Sequence, residues 1–168
     1  MKKLLLVIML FLFTTSFTFA GKAINTELTK FTYETCQAHN VPFDIVIAIG
    51  IVESDWRNLK SYRSNSNGSY DVGIFQLNSR YTDYYERTFW YKEEDFNPWN
   101  EYHNVEMAVM YLEHLYSYTK NWEDAVKAYN TGLHGLKKYP ETAMAYLAKV
   151  ANALNRIQVF TEDYIYYD

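Results

Sequence analysis

Apolar positions recur at a helical spacing near the start of the chain. Ile24, Leu28, Phe31 and Cys36 fall roughly on one side and predict a helix over residues 23–40. After Val41-Pro42 the pattern changes. Residues 45–52 are apolar with no polar face, so a second helix is expected to be buried on every side and to deliver Glu53 at its end. Pro42 suits the first turn of that helix. Residues 56–70 are polar, and Asn67-Gly68 is the dipeptide of a tight hairpin turn. Residues 72–77 then read as one short strand of a small β-hairpin. Residues 80–100 are aromatic and irregular. Helical spacing returns with Val105, Ala108, Tyr111, Leu112 and Leu115, then in a short helix through Trp122, Ala125, Val126 and Tyr129 that Asn130-Thr131-Gly132 breaks, with Gly132 as its cap. Tyr139-Pro140-Glu141 opens a last helix, and the tyrosine-rich end, residues 163–168, is expected to be peripheral. With no internal repeat or linker, the fold class is mostly α with a small β-hairpin (α+β), in a single domain over residues 21–168.

The first twenty residues stand apart from this domain. Lys2 and Lys3, an apolar run to Phe13, and Thr18-Phe19-Ala20 form the pattern of a secretory signal peptide. Three threonines and a serine in its second half argue against a retained span, so no stable membrane insertion is expected after cleavage. Loss of two lysines makes a formal charge of −4 more negative, which disfavours nucleic acid and anionic membrane surfaces as partners. Cys36 is the single cysteine, so an internal disulfide is excluded and stability has to come from packing. Cys36-x-x-His39 has no second pair to complete a metal site, and His103, His114 and His134 share no motif with it. Seventeen tyrosines, ten phenylalanines and four tryptophans are an aromatic-rich set; the excess of tyrosine and tryptophan would suit a groove that stacks on sugar faces, although many of these rings will simply be core.

Two carboxylates carry the candidate chemistry. Glu53, closing an apolar helix, is partly desolvated, which raises its pKa toward the neutral range where a general acid works on a glycosidic oxygen. It could equally be the first solvated residue after a core helix. Asp71 could be a second catalytic carboxylate, but an aspartate beside a turn commonly bonds hairpin amides, and that chemistry is sufficient.

The order of short motifs is more specific than any one of them. Glu53-Ser54, Gly73-x-x-Gln76, Ala128-Tyr129-Asn130-x-Gly132, and Glu141-Thr142 with Tyr146-x-x-Lys149-Val150 together resemble the soluble lytic transglycosylase domain over about residues 28–156. Gly73-Ile74-Phe75-Gln76 departs from the family's Gly-Leu-Met-Gln at two apolar positions and keeps the glutamine. The resemblance implies a lysozyme-like fold and cleavage of peptidoglycan glycan strands, with Glu53 as the single catalytic acid and base and no cofactor or metal. It implies that Ser54, Gln76 and Asn130 hydrogen-bond Glu53 or the sugar, and that Tyr129 and Tyr146 wall the pocket. Residues 67–79 resemble the small enzymes that accompany envelope-spanning secretion or pilus machines, which would be its partner; a periplasmic or extracellular monomer is expected. The same string is similar to the central hairpin of animal-type lysozymes, where the place of Asp71 holds the second catalytic carboxylate.

Three other readings make distinct predictions. A hydrolytic muramidase would use Glu53 with Asp71 and release reducing ends. A non-catalytic peptidoglycan-binding module would have no need of a desolvated acid. A Cys36 hydrolase would be sensitive to thiol reagents.

Overall fold

The all-apolar segment forms the central helix. In the computed structural model, which describes residues 18–19, 22–23, 26–59 and 64–162, α2 (Phe43–Ser54) buries Val46, Ile47, Ala48, Ile49, Gly50 and Ile51. A helix with no polar stripe has no face to give to water, so other elements close around it. These are α1 (Thr26–His39) ahead of it and α6 (Pro140–Glu162), which packs along it. The basic and apolar parts of the expected export signal and the tail 163–168 lie outside the described residues. Ahead of α1, Thr18–Phe19 (β1) pairs antiparallel with Lys22–Ala23 (β2). Among the described residues no helix is long and apolar enough to cross a membrane.

Pro42 sits one place outside the expected first turn, as the residue before α2 at φ −61° and ψ 120°. At the other end, Asp55 (φ 56°) and Trp56 (φ 54°) are both left-handed, and their N–H groups return to the carbonyls of Ile51 and Gly50. This reversal folds the Trp56 ring back over α2 at Gly50, where a Cβ would lie 2.4 Å from it. Trp56 in turn meets Phe75 edge to face, with 5.6 Å between ring centroids.

Two expectations about local structure are corrected. Residues 72–77 are not one strand but a whole hairpin: Asp71–Val72 (β3) pairs antiparallel with Leu77–Asn78 (β4), and Gly73-Ile74-Phe75-Gln76 is its turn. Asn67-Gly68 makes a separate turn before it, closed by Gly68 N–H to the Asn65 carbonyl, with Asn67 Oδ1 accepting from the Ser69 N–H. The stretch 80–100 is partly regular. Ser79–Tyr81 is a 3₁₀ turn that leads into α3 (Thr82–Phe89), whose Tyr85 and Phe89, one helical turn apart, are buried. The break expected at Gly132 is present within α5 (Trp122–Lys138), at φ 72° and ψ 162°, and a further helical stretch follows it. That combination of angles is open essentially to glycine alone.

Two cores result. The larger joins α1, α2, α4 (Glu101–Thr119) and α6 with the hairpin turn. The smaller, around Leu115, Ala125 and Ala128, lies between the end of α4 and α5.

Candidate active site

A cavity of about 660 Å³ opens along the side of the molecule. Glu53 reaches it from the last turn of α2, Asp71 and Gln76 from the hairpin, Tyr129 and Asn130 from α5. Five of the seven residues singled out from the sequence thus share one cavity although they span 78 positions of chain.

Tyr146 reaches the same carboxyl from α6. It is 5 % exposed, and its hydroxyl donates to Glu53 Oε1 at 2.5 Å. The Glu53 carboxyl is pushed up to about 7. Burial is the largest cause, and the charge of Asp71 acts in the same direction; the Tyr146 hydrogen bond and the Lys149 charge oppose them. The residue therefore holds its proton to about neutrality with one oxygen anchored.

Ser54 is corrected. It is 3 % exposed and does not line the cavity: its Oγ donates to the Gly50 carbonyl at 3.2 Å and accepts from Arg57 N–H at 3.0 Å. Neighbours on an α-helix point about 100° apart, so the residue after Glu53 faces into the protein and closes the helix.

Asp71 stands in the cavity with both carboxylate oxygens engaged. Oδ1 accepts from Asn78 Nδ2 at 2.8 Å and Oδ2 from Asn65 Nδ2 at 3.2 Å. These are side-chain amides of β4 and of the preceding turn, so Asp71 ties the two segments together. Gln76 occupies a left-handed position, φ 49°, and its amide folds back to donate to the Gly73 carbonyl at 2.7 Å. Tyr129 donates its hydroxyl to the Phe75 carbonyl at 2.9 Å, pinning α5 to the hairpin turn.

The residue that builds this turn was not singled out from the sequence. Asn104 of α4, with no exposure, accepts from Phe75 N–H at 2.9 Å and donates to the carbonyls of Val72 and Pro98. Gly73 is required beside it: φ is 78°, and a Cβ would meet the Asn104 side chain at 2.3 Å. An asparagine opening an apolar stretch of helix is the one signal in the sequence. Also not singled out for the site were Tyr81, Tyr84 and Tyr85, whose only trace was the tyrosine excess, and Tyr111 and His114, read as a helical position and as a histidine without a motif; all five line the cavity.

Cys36 and His39 go elsewhere. The Cys36 thiol is fully buried and pushed up to about 12, chiefly by burial, which removes it as a nucleophile at neutral pH. His39 Nδ1 lies 2.7 Å from Glu113 Oε2 on α4.

The sequence profile of the transglycosylase SLT domain matches residues 31–152. No curated protein gives a match.

Proposed function

The chain belongs to the transglycosylase SLT family of the lysozyme-like superfamily, and from that premise we propose that it is a peptidoglycan lytic transglycosylase. In this reading it cleaves the β-1,4 bond from N-acetylmuramic acid to N-acetylglucosamine and leaves 1,6-anhydro-muramic ends. The observation that carries the assignment is the Glu53 carboxyl, held near 7 at the wall of a cavity of about 660 Å³ that it shares with Gln76, Tyr129 and Asn130.

The chemistry needs one carboxyl in two states. With Oε1 held by Tyr146, Oε2 gives its proton to the bridging oxygen as the bond to the muramic anomeric carbon breaks. The positive charge at that carbon is relieved by the sugar's own acetamido group. Glu53, now a carboxylate, takes the proton of the muramic 6-hydroxyl as that oxygen bonds the anomeric carbon. The acid is regenerated and no water is consumed. Gln76 and Asn130 contribute polar groups to the cavity, while Tyr129 and Tyr146 keep the surroundings of the acid dry. Asp71, with both oxygens engaged, raises the Glu53 pKa by its charge and has no nucleophilic part in this scheme. Export belongs to the same proposal, because the substrate lies outside the cytoplasm. The recovered protein is expected to begin near Gly21 on N-terminal sequencing.

Mass spectrometry of the fragments released from purified peptidoglycan by residues 21–168 tests the reaction. Anhydro-muramic ends are the expected products. Reducing muramic ends would give the attack to water and make Asp71 a catalytic partner. Sacculi left intact but bound would replace the enzyme with a binding module.

A further inference from the structure

The polar side chains beside the hairpin form a closed chain. Ser69, which is buried, accepts from Asn65 Nδ2 at 3.1 Å and from Asn78 Nδ2 at 3.0 Å. Its one hydroxyl proton goes to Asn67 Oδ1 at 2.7 Å. The same two amides give their other protons to Asp71. Side-chain hydrogen bonds thus run from Asp71 in the cavity to Asn67 at the surface, and Asn67 Oδ1 is the last acceptor.

Asn67 precedes Gly68, and this is the one Asn-Gly pair in the sequence. Residues 64–68 are all exposed. A Cβ built at Gly68, where φ is 81°, would meet nothing within 4 Å. Asn67 Oδ1 accepts from the Ser69 N–H as well, at 3.0 Å, so two donors polarise its amide carbonyl. The Nδ2 of that amide donates to none of the described residues.

We propose that Asn67 is a site of spontaneous deamidation whose product acts on the cleft through Ser69. The Gly68 backbone nitrogen loses its proton to solvent base and bonds to Asn67 Cγ. The bond from Cγ to Nδ2 breaks, and that nitrogen leaves as ammonia after taking up a proton. Water then opens the cyclic imide at either carbonyl, giving aspartate or isoaspartate. The two donors to Oδ1 stand where negative charge gathers as Cγ becomes tetrahedral. One contact opposes the step, since Gly68 N–H donates to the Asn65 carbonyl at 2.9 Å. That bond closes a short exposed turn, and such segments open at little cost.

The two products differ in reach. Aspartate keeps an oxygen for both Ser69 donors. Isoaspartate routes the main chain through the former side chain and lengthens it by one carbon, which takes the acceptor away from Ser69. Ser69 then turns, and Asn65 and Asn78 lose the partner that orients them toward Asp71. This consequence rests on the assignment of the cavity to peptidoglycan cleavage; the modification does not.

The test incubates the folded protein at mildly alkaline pH and follows each asparagine by peptide mass spectrometry. Isoaspartate is read by methyl transfer from an isoaspartate-specific methyltransferase. Asn67 is expected to convert ahead of every other asparagine, within about tenfold of its rate in the urea-unfolded chain, and faster as pH rises. Asn67→Gln should hold its mass. The converted protein, resolved by its added charge on ion exchange, is expected to cleave peptidoglycan about tenfold more slowly than the unconverted fraction. Asn67→Asp is expected to cleave like the unconverted fraction. Conversion in the unfolded chain alone would overturn the site. Equal activity in the two fractions, or equal loss in Asn67→Asp, would overturn the route through Ser69. If the unconverted protein cuts no peptidoglycan, the catalytic assignment fails by itself, and the mass measurement still decides the modification.

Discussion

Glu53 is a carboxyl whose neighbours pull in opposite directions. Burial and Asp71 favour the protonated form; Tyr146 and Lys149 favour the charged form. The first step needs the proton, so kcat/KM for peptidoglycan is expected to fall as pH rises through about 7. Asp71→Asn removes a charge that raises the Glu53 pKa, so the fall should move to lower pH while activity below it persists. A profile of sacculus clearing against pH reads this directly. Loss of activity at every pH in Asp71→Asn would instead mark Asp71 as a catalytic group. Glu53→Gln keeps the shape and removes the proton, and is expected to lower kcat by on the order of 10²–10⁴-fold, the usual worth of a general acid–base. Retained cleavage would remove Glu53 from the mechanism.

The hairpin turn owes its shape to an asparagine 29 residues away. Replacing Asn104 by Leu leaves Phe75 N–H and the carbonyls of Val72 and Pro98 without that partner in a buried site, at a cost of about 3 kcal/mol or more. Urea unfolding should show that loss, and activity should fall further than stability because Gln76 rides on the same turn. Gly73→Ala is expected to do likewise through its positive φ and the contact with Asn104. A stability change below about 1 kcal/mol in both variants would mean that the turn holds without them. Such long-range dependence explains what was legible in the sequence. The second helix and its terminal Glu53 could be read because an all-apolar run has only one place to go. The 73–76 turn could not, since its two consecutive buried residues, Ile74 and Phe75, look like strand until Asn104 is seen to hold the Phe75 N–H and the Val72 carbonyl. The α3 helix was hidden because tyrosines fall on both its buried and its exposed sides, which blurs the period. Adjacency in the Glu53-Ser54 motif is not adjacency at the cavity, because the Ser54 hydroxyl is bonded to Gly50 and Arg57. In a helix adjacent residues diverge, whereas Tyr146, 93 positions away, touches the acid.

Across the whole molecule the site has a stability cost that depends on pH. In the unfolded chain Glu53 titrates at its ordinary value of 4.5, and in the folded protein at about 7. Between those values the folded state holds a proton that the unfolded state has released, so stability falls as pH rises through this window. A shift of this size corresponds to on the order of 3 kcal/mol. Below 4.5 both states are protonated and the residue makes no demand. Above about 7 the fold must bury a charge that Tyr146 and Lys149 only partly compensate. Glutamine at this position is never charged and removes that term. Glu53→Gln is therefore expected to stabilise the protein at pH 8, with a gain in melting temperature that shrinks toward zero by pH 4. Thermal unfolding of the two proteins across that range, at fixed ionic strength, checks it. An equal offset at all pH values would mean that packing, and not the buried charge, sets the difference. The expected pattern would identify the same desolvation as the source of the proton for catalysis and of the instability that accompanies it.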